Sequence, residues 1–131
     1  MSGENNLQVL LRSASPVVNS GSYVFTTLSG PEADLLEHAV VIVREREGTT
    51  LVLPQATADA RGIAYAYVAG WITLEVHSSL SAVGLTAAFS AALAGCGISC
   101  NVVAGYYHDH IFVAIDDTER AAEAIRSLSR E

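Results

Sequence analysis

The residues most able to do chemistry lie in one short string: Tyr106, Tyr107, His108, Asp109 and His110 follow one another. In an extended segment His108 and His110, two apart, project from the same side. With Asp109 or His77 they would offer the nitrogen and oxygen ligands that Zn²⁺ takes. No second dense group of ligands follows in the sequence. The plainer reading prevails: a polar hairpin turn whose imidazoles pair with Asp109 or with water. A nucleophile would come from Ser78, Ser79 or Cys100 beside His77, with Glu75 as the acid. The sequence has no Gly-x-Ser-x-Gly elbow to hold such a serine, and capping or loop serines account for the string. Cys96 and Cys100 stand four apart among apolar residues, which reads as two buried small hydrophobes rather than a disulfide, a metal site or a redox switch. No Gly-x-x-x-x-Gly-Lys-Ser/Thr phosphate loop occurs. These patterns point away from catalysis, and no cofactor is expected.

The chain that carries them has 131 residues, of which 50% are hydrophobic and 16% charged. That composition excludes general disorder, and the length suits one domain or two half-size modules. Fourteen acidic residues against seven basic give a net charge of −7, so a broad nucleic-acid footprint, which needs clustered Lys and Arg, is excluded. A small local anion site is not. No residue from 78 to 107 carries a formal charge, yet four glycines and seven Ser, Thr or Asn residues interrupt that stretch. A membrane span needs ~20 continuous apolar residues, so a buried helix followed by a strand is expected instead. The first six residues lack the basic and apolar regions of a secretory signal, and the cytoplasm is the expected compartment.

The elements that must position these residues follow from periodicity. Residues 7–12 form a short apolar element, helix or strand, and residues 13–21 read as loop. Residues 22–28 alternate as a strand and end at Gly30 and Pro31. Residues 33–47 fit both a helix and a β-branched run, and a hairpin of 40–45 with 49–53 is preferred. Pro54 opens a short helix that Gly62 stops. Residues 71–77 alternate as a half-buried strand. A helix follows from Gly84 to about Ala94, with Leu85, Ala88, Phe89, Ala92 and Leu93 toward the core. Residues 98–105 and 110–115 form a hairpin, and Asp116 with Glu119 offers a capping box for a last helix to about Ser129. The order β-α-β-β-α predicts an α+β, ferredoxin-like sandwich one strand short. Its helix-free face would show Trp71, Thr73, Val103 and Phe112, too apolar to stay wet.

Several strings resemble the ACT domain family: residues 71–76 (WITLEV), 83–86 (VGLT) and 91–99 (AALAGCGIS). Residues 76–80, 101–110 and 44–48 resemble, more closely, small bacterial stand-alone proteins built from two ACT-like halves. The resemblance implies a ferredoxin-like fold in a reduced N-terminal half, residues 1–70, and an ACT-like domain, residues 71–131. It implies a regulatory, non-catalytic module that binds an amino-acid-like ligand beside the loop from first strand to first helix. Here that places the ligand against His77, Ser78, Ser79, Val83, Gly84, Leu85 and Thr86, with Asn101, Val102 and Val103 facing it. His77 serves there as ligand contact or as loop anchor. A glycine at position 84 lets a ligand approach the backbone. The N–H groups of Leu85 and Thr86 suit a carboxylate, and Asn101 could donate to it. A homo-oligomer is expected, with no nucleic-acid or membrane partner. The alternatives are an assembly module without ligand and, more weakly, a metal site at His108, Asp109 and His110.

Overall fold

The computed structural model describes residues 6–76 and 83–130. They form α1 (Leu7–Ser13), β1 (Pro16–Leu28), α2 (Ala33–His38), β2 (Val41–Arg44), β3 (Thr49–Pro54), α3 (Gln55–Ala60), β4 (Tyr67–Leu74), α4 (Leu85–Gly95), β5 (Cys100–Ala104), β6 (Asp109–Ala114) and α5 (Thr118–Leu128), with one 3-10 turn, Ile115–Asp117, before α5. The chain divides into two compact units, one of Met1–Asn19 with Gly70–Glu131 and one of Ser20–Ala69. The second is thus inserted in the first.

In the unit of Met1–Asn19 and Gly70–Glu131 the elements from β4 onward run β-α-β-β-α as expected. The strand that this order lacks is the start of β1, within residues 13–21 that read as loop. It lies beside β4 in the order β1-β4-β6-β5. The Glu75 N–H donates to the Ser15 carbonyl at 2.8 Å and the Asn19 amide to the Trp71 carbonyl at 3.2 Å, an antiparallel run. Pro16 is tolerated because a strand's first residue can lack an N–H, and Val17 and Val18 suit a pleated surface. Ile72, Leu74, Ile111 and Val113 project from one face onto Phe89 and Leu93 of α4 and Ala121 and Ile125 of α5. Each large side chain buried there contributes ~1.5–3 kcal/mol. The Cys100 side chain packs on this core, whereas Cys96 is exposed beyond the end of α4, so the expectation of two buried thiols fails for Cys96. The expected capping box at Asp116 and Glu119 also fails. The 3-10 turn moves the N-cap to Asp117, which makes no capping bond and instead accepts from Arg120 at 3.0 Å.

In the unit of Ser20–Ala69 the strand order is β2-β3-β1, with the start of β4 next to β1. Phe25 meets Tyr67 edge-on at 5.7 Å. Residues 33–47 are both of the things their pattern suggested: Leu35 and Leu36 enter α2, and the β-branched run becomes β2. This half therefore has a helix between its first two strands. Val24, Leu51 and Leu53 form its core with Leu35 and Ala58. In this unit the elements run β1-α2-β2-β3-α3-β4, a β-α-β-β-α-β order.

Candidate functional site

In the unit of Ser20–Ala69 the chain leaves β1 at Leu28 and passes through Ser29, Gly30 and Pro31 before α2. Gly30 takes a left-handed conformation, φ 63°, that turns the chain sharply without a Cβ clash. Proline next sets its own φ and directs Glu32 to the N-cap of α2. The Glu32 carboxylate makes no capping bond. Opposite, Arg61 sits at the end of α3 with its N–H shared between the Thr57 and Ala58 carbonyls. A chain of side chains holds that helix: Ser22 donates to Gln55 at 2.6 Å, Gln55 to the Tyr65 hydroxyl at 2.9 Å, and Tyr65 to Asp59 at 2.7 Å.

Between these elements lies a cavity of about 320 Å³. Leu28, Leu35 and Ile63 give it an apolar wall, Gly30 and Pro31 a backbone rim, and Glu32 and Arg61 one charge of each sign. Arg61 is also paired with Asp34 at 3.0 Å. That hydrogen bond holds the Asp34 carboxyl below the usual carboxylate range and raises the guanidinium in turn. Arg61 thus stays charged while its fork of five donors has room for a second acceptor. Sequence reading passed over Glu32, Arg61 and this cavity. The available signal was the Gly30 and Pro31 break directly after a strand, repeated later by Gly84 before α4.

Of the residues the sequence singled out, His77, Ser78 and Ser79 lie outside the described residues. Val83 is exposed. Gly84 is the N-cap of α4 with φ 99°, and a Cβ on it would meet Leu7 Cδ2 at 3.0 Å. The left-handed turn explains this glycine, and Leu7 occupies the space beside it. Leu85 is buried in the core and Thr86 is exposed. Asn101 donates to the Phe112 carbonyl at 3.4 Å, and Val103 stands opposite His110, so both face the helix-free side of the sheet. Val102 points to the other side and packs on the core. Strand β6 lies between β5 and β4.

The histidine turn is structural in its contacts. The Trp71 indole N–H reaches the His110 Nδ1 at 3.1 Å, with the Thr73 hydroxyl 3.2 Å away on the same nitrogen. Asn19 donates to Thr73 at 3.0 Å. Trp71 stacks on Phe112, centroids 6.1 Å apart, and Phe112 is fully buried. The apolar face expected here is thus threaded by a polar network that uses the lone pair a metal would need. Burial lowers the His110 pKa and raises that of Asp109. Among the described residues no three His, Cys, Asp or Glu side chains converge on a metal position.

A family profile described as ACT domain matches residues 2–70, and another of that description matches residues 67–127. The chain belongs to the ACT domain family. A Vibrio cholerae protein of unknown function, named a possible transport protein, is 46% identical over 94% of this chain and 95% of its own, with a TM-score of 0.84. An Agrobacterium tumefaciens protein is 21% identical, with coverage of 88% and 89% and a TM-score of 0.60. The ligand-free regulatory subunit of aspartate kinase from Thermus thermophilus is 9% identical, with coverage of 89% and 97% and a TM-score of 0.66. That last likeness shows a shared ACT architecture. No curated protein matches the chain. Among the described residues no helix is long and apolar enough to cross a membrane.

Proposed function

We propose that this ACT-domain chain is a non-catalytic regulatory module that binds a small amino-acid-like ligand in the cavity of the Ser20–Ala69 unit. The observation that carries the reading is the lining of that cavity. Arg61 suits an α-carboxylate, Glu32 an α-ammonium, and the wall of Leu28, Leu35 and Ile63 an apolar stem. The cavity also lies at the loop from first strand to first helix, where ligands of this family are expected. The likeness to an aspartate kinase regulatory subunit supports a regulatory role over a catalytic one.

The equivalent loop of the other unit is proposed as a second position. It comprises His77, Ser78, Ser79, Val83, Gly84, Leu85 and Thr86, with Asn101 and Val103 on the neighbouring sheet face and Val102 behind it. A homo-oligomer in the cytoplasm is proposed as the working form. Two surfaces support it: Ala87, Ala91 and Ala94 are exposed on α4, and Ile42 and Val43 are exposed on β2, an edge strand.

A thermal-shift screen of the full chain against the proteinogenic amino acids tests the ligand reading. A ligand at ~100 times its Kd adds ~2.7 kcal/mol of stability. The expected result is a saturable rise for a subset of amino acids, lost in Arg61→Gln. A flat response across the set would leave assembly as the function.

A further inference from the structure

A second, smaller cavity of about 210 Å³ adjoins the first at Gly30 and Pro31, and its other lining residues are Leu36, Arg44 and Thr49. Strand register fixes how the two relate. Leu28 stands opposite Thr49 in the β1–β3 pair, and Thr49 stands opposite Arg44 in the β3–β2 pair. Leu28, Thr49 and Arg44 therefore form one rung across the end of the sheet, ~4.8 Å from strand to strand. Side chains opposite one another share a face, and Leu28 packs with the core beneath α2 and α3. Thr49 and Arg44 thus continue, on that same face, the wall that Leu28 gives the first cavity.

The charges differ along this rung. Arg61 in the first cavity is already paired with Asp34, whereas among the described residues Arg44 forms no salt bridge. Glu45, next in sequence, is bonded to the Thr50 hydroxyl. An unneutralised guanidinium beside a threonine hydroxyl and a backbone rim, in a chain of net charge −7, is suited to an anionic group from outside the chain. Planar carboxylates fit the guanidinium fork with two parallel bonds.

We infer that the ligand of this site is an acidic amino acid, its α-carboxylate on Arg61, its ammonium on Glu32 and its side-chain carboxylate on Arg44 and Thr49. The inference rests on the proposed reading of the first cavity as an amino-acid site and adds the chemical class. Leu28, on the wall of the first cavity, and Arg44, on that of the second, stand two strand spacings apart, about 10 Å from backbone to backbone. Aspartate and glutamate carry two carboxylates a few bonds apart, whereas asparagine and glutamine replace the second with a neutral amide of the same shape.

That isosteric pair gives the test. Titration calorimetry of the full chain with L-glutamate, L-glutamine, L-aspartate and L-asparagine should show the acid bound at least about ten-fold tighter than its amide, because one charge-assisted pair replaces a neutral contact. Arg44→Gln should bring that ratio to about one, and Arg44→Lys should keep part of it. Arg44 is exposed on an edge strand, so both variants are expected to fold. Amides bound as tightly as acids, or a preference that survives Arg44→Gln, would overturn the acidic class while leaving the amino-acid site standing. No binding of any of the four would also overturn the acidic class, and the amino-acid reading would then rest on the thermal-shift screen of the full set.

Discussion

Gly70→Ala should be among the most damaging single-methyl additions in the chain. Gly70 lies in β4, and a Cβ built there would stand 1.9 Å from the Thr118 Oγ1 and 2.9 Å from both the Thr118 Cβ and Cγ2. Rotating the threonine does not clear the contact, because its Cβ is itself too close. Thr118 is 7% exposed and its hydroxyl donates to the Ile115 carbonyl at 2.7 Å, which fixes the turn leading into α5. The oxygen must retreat by about 1.5 Å to reach ordinary van der Waals distance. That retreat moves the start of α5 away from Ile72 and Leu74. Overpacking of this severity costs about 3 kcal/mol, or roughly 10 °C in Tm at this chain length. Urea unfolding followed by the fluorescence of Trp71, the single tryptophan, gives the number. Thr118→Ala alone should cost about 1 kcal/mol for its hydrogen bond. In the double variant the clash with Oγ1 and Cγ2 is gone, so its loss should fall short of the sum of the singles by about 1–2 kcal/mol. A Gly70→Ala protein within about 0.5 kcal/mol of wild type, or strictly additive losses, would refute the packing of β4 against α5.

His110 is half-buried, and that burial lowers its pKa from 6.5, so the unfolded chain takes up the proton first, and stability is full above about pH 6.5 and falls as the pH drops toward the folded value. Asp109, its pKa raised by burial, acts in the opposite sense, so the readout is the difference between wild type and His110→Asn, whose stability–pH curve should lose the step below pH 6.5; identical curves would contradict it. Ala91→Arg should dissociate an oligomer built on the exposed face of α4 by placing an unpaired charge in the contact, and an unchanged sedimentation coefficient would exclude that face. Asn101→Ala should leave stability within about 0.5 kcal/mol, because Asn101 is exposed and its bond to Phe112 is long. A binding defect in Asn101→Ala, measured by calorimetry, would place a ligand at the second proposed loop.

The second half of the chain was legible because its strands alternate cleanly and its helices carry regular stripes. Leu85, Phe89 and Leu93 are buried as the period of α4 demanded. The start of β1 was not legible. Pro16, Asn19 and Gly21 read locally as loop, and only pairing with β4, more than fifty residues away, makes residues 16–19 a strand. Helix α2 was obscured because the β-branched run from Val40 follows it within two residues. The candidate site was readable as a kind of place, the turn after a first strand, more than as particular residues. Gly84 drew attention because it precedes a long helix, whereas Gly30 precedes one of six residues. Arg61 and Glu32 are twenty-nine positions apart and meet only when α3 folds against α2. Arg44 gave no sign, since its role depends on the strand register.

The central claim is that an amino-acid-like ligand binds at the Gly30 turn against Arg61. Backbone amide NMR of the full chain, titrated with the proteinogenic amino acids in turn, tests it most directly. The account predicts saturable shifts concentrated at Ser29, Gly30, Glu32, Leu35 and Ile63, abolished in Arg61→Gln with the rest of the spectrum preserved. Shifts confined to Val83, Leu85, Thr86 and Asn101, or a spectrum unmoved at millimolar ligand, would contradict it.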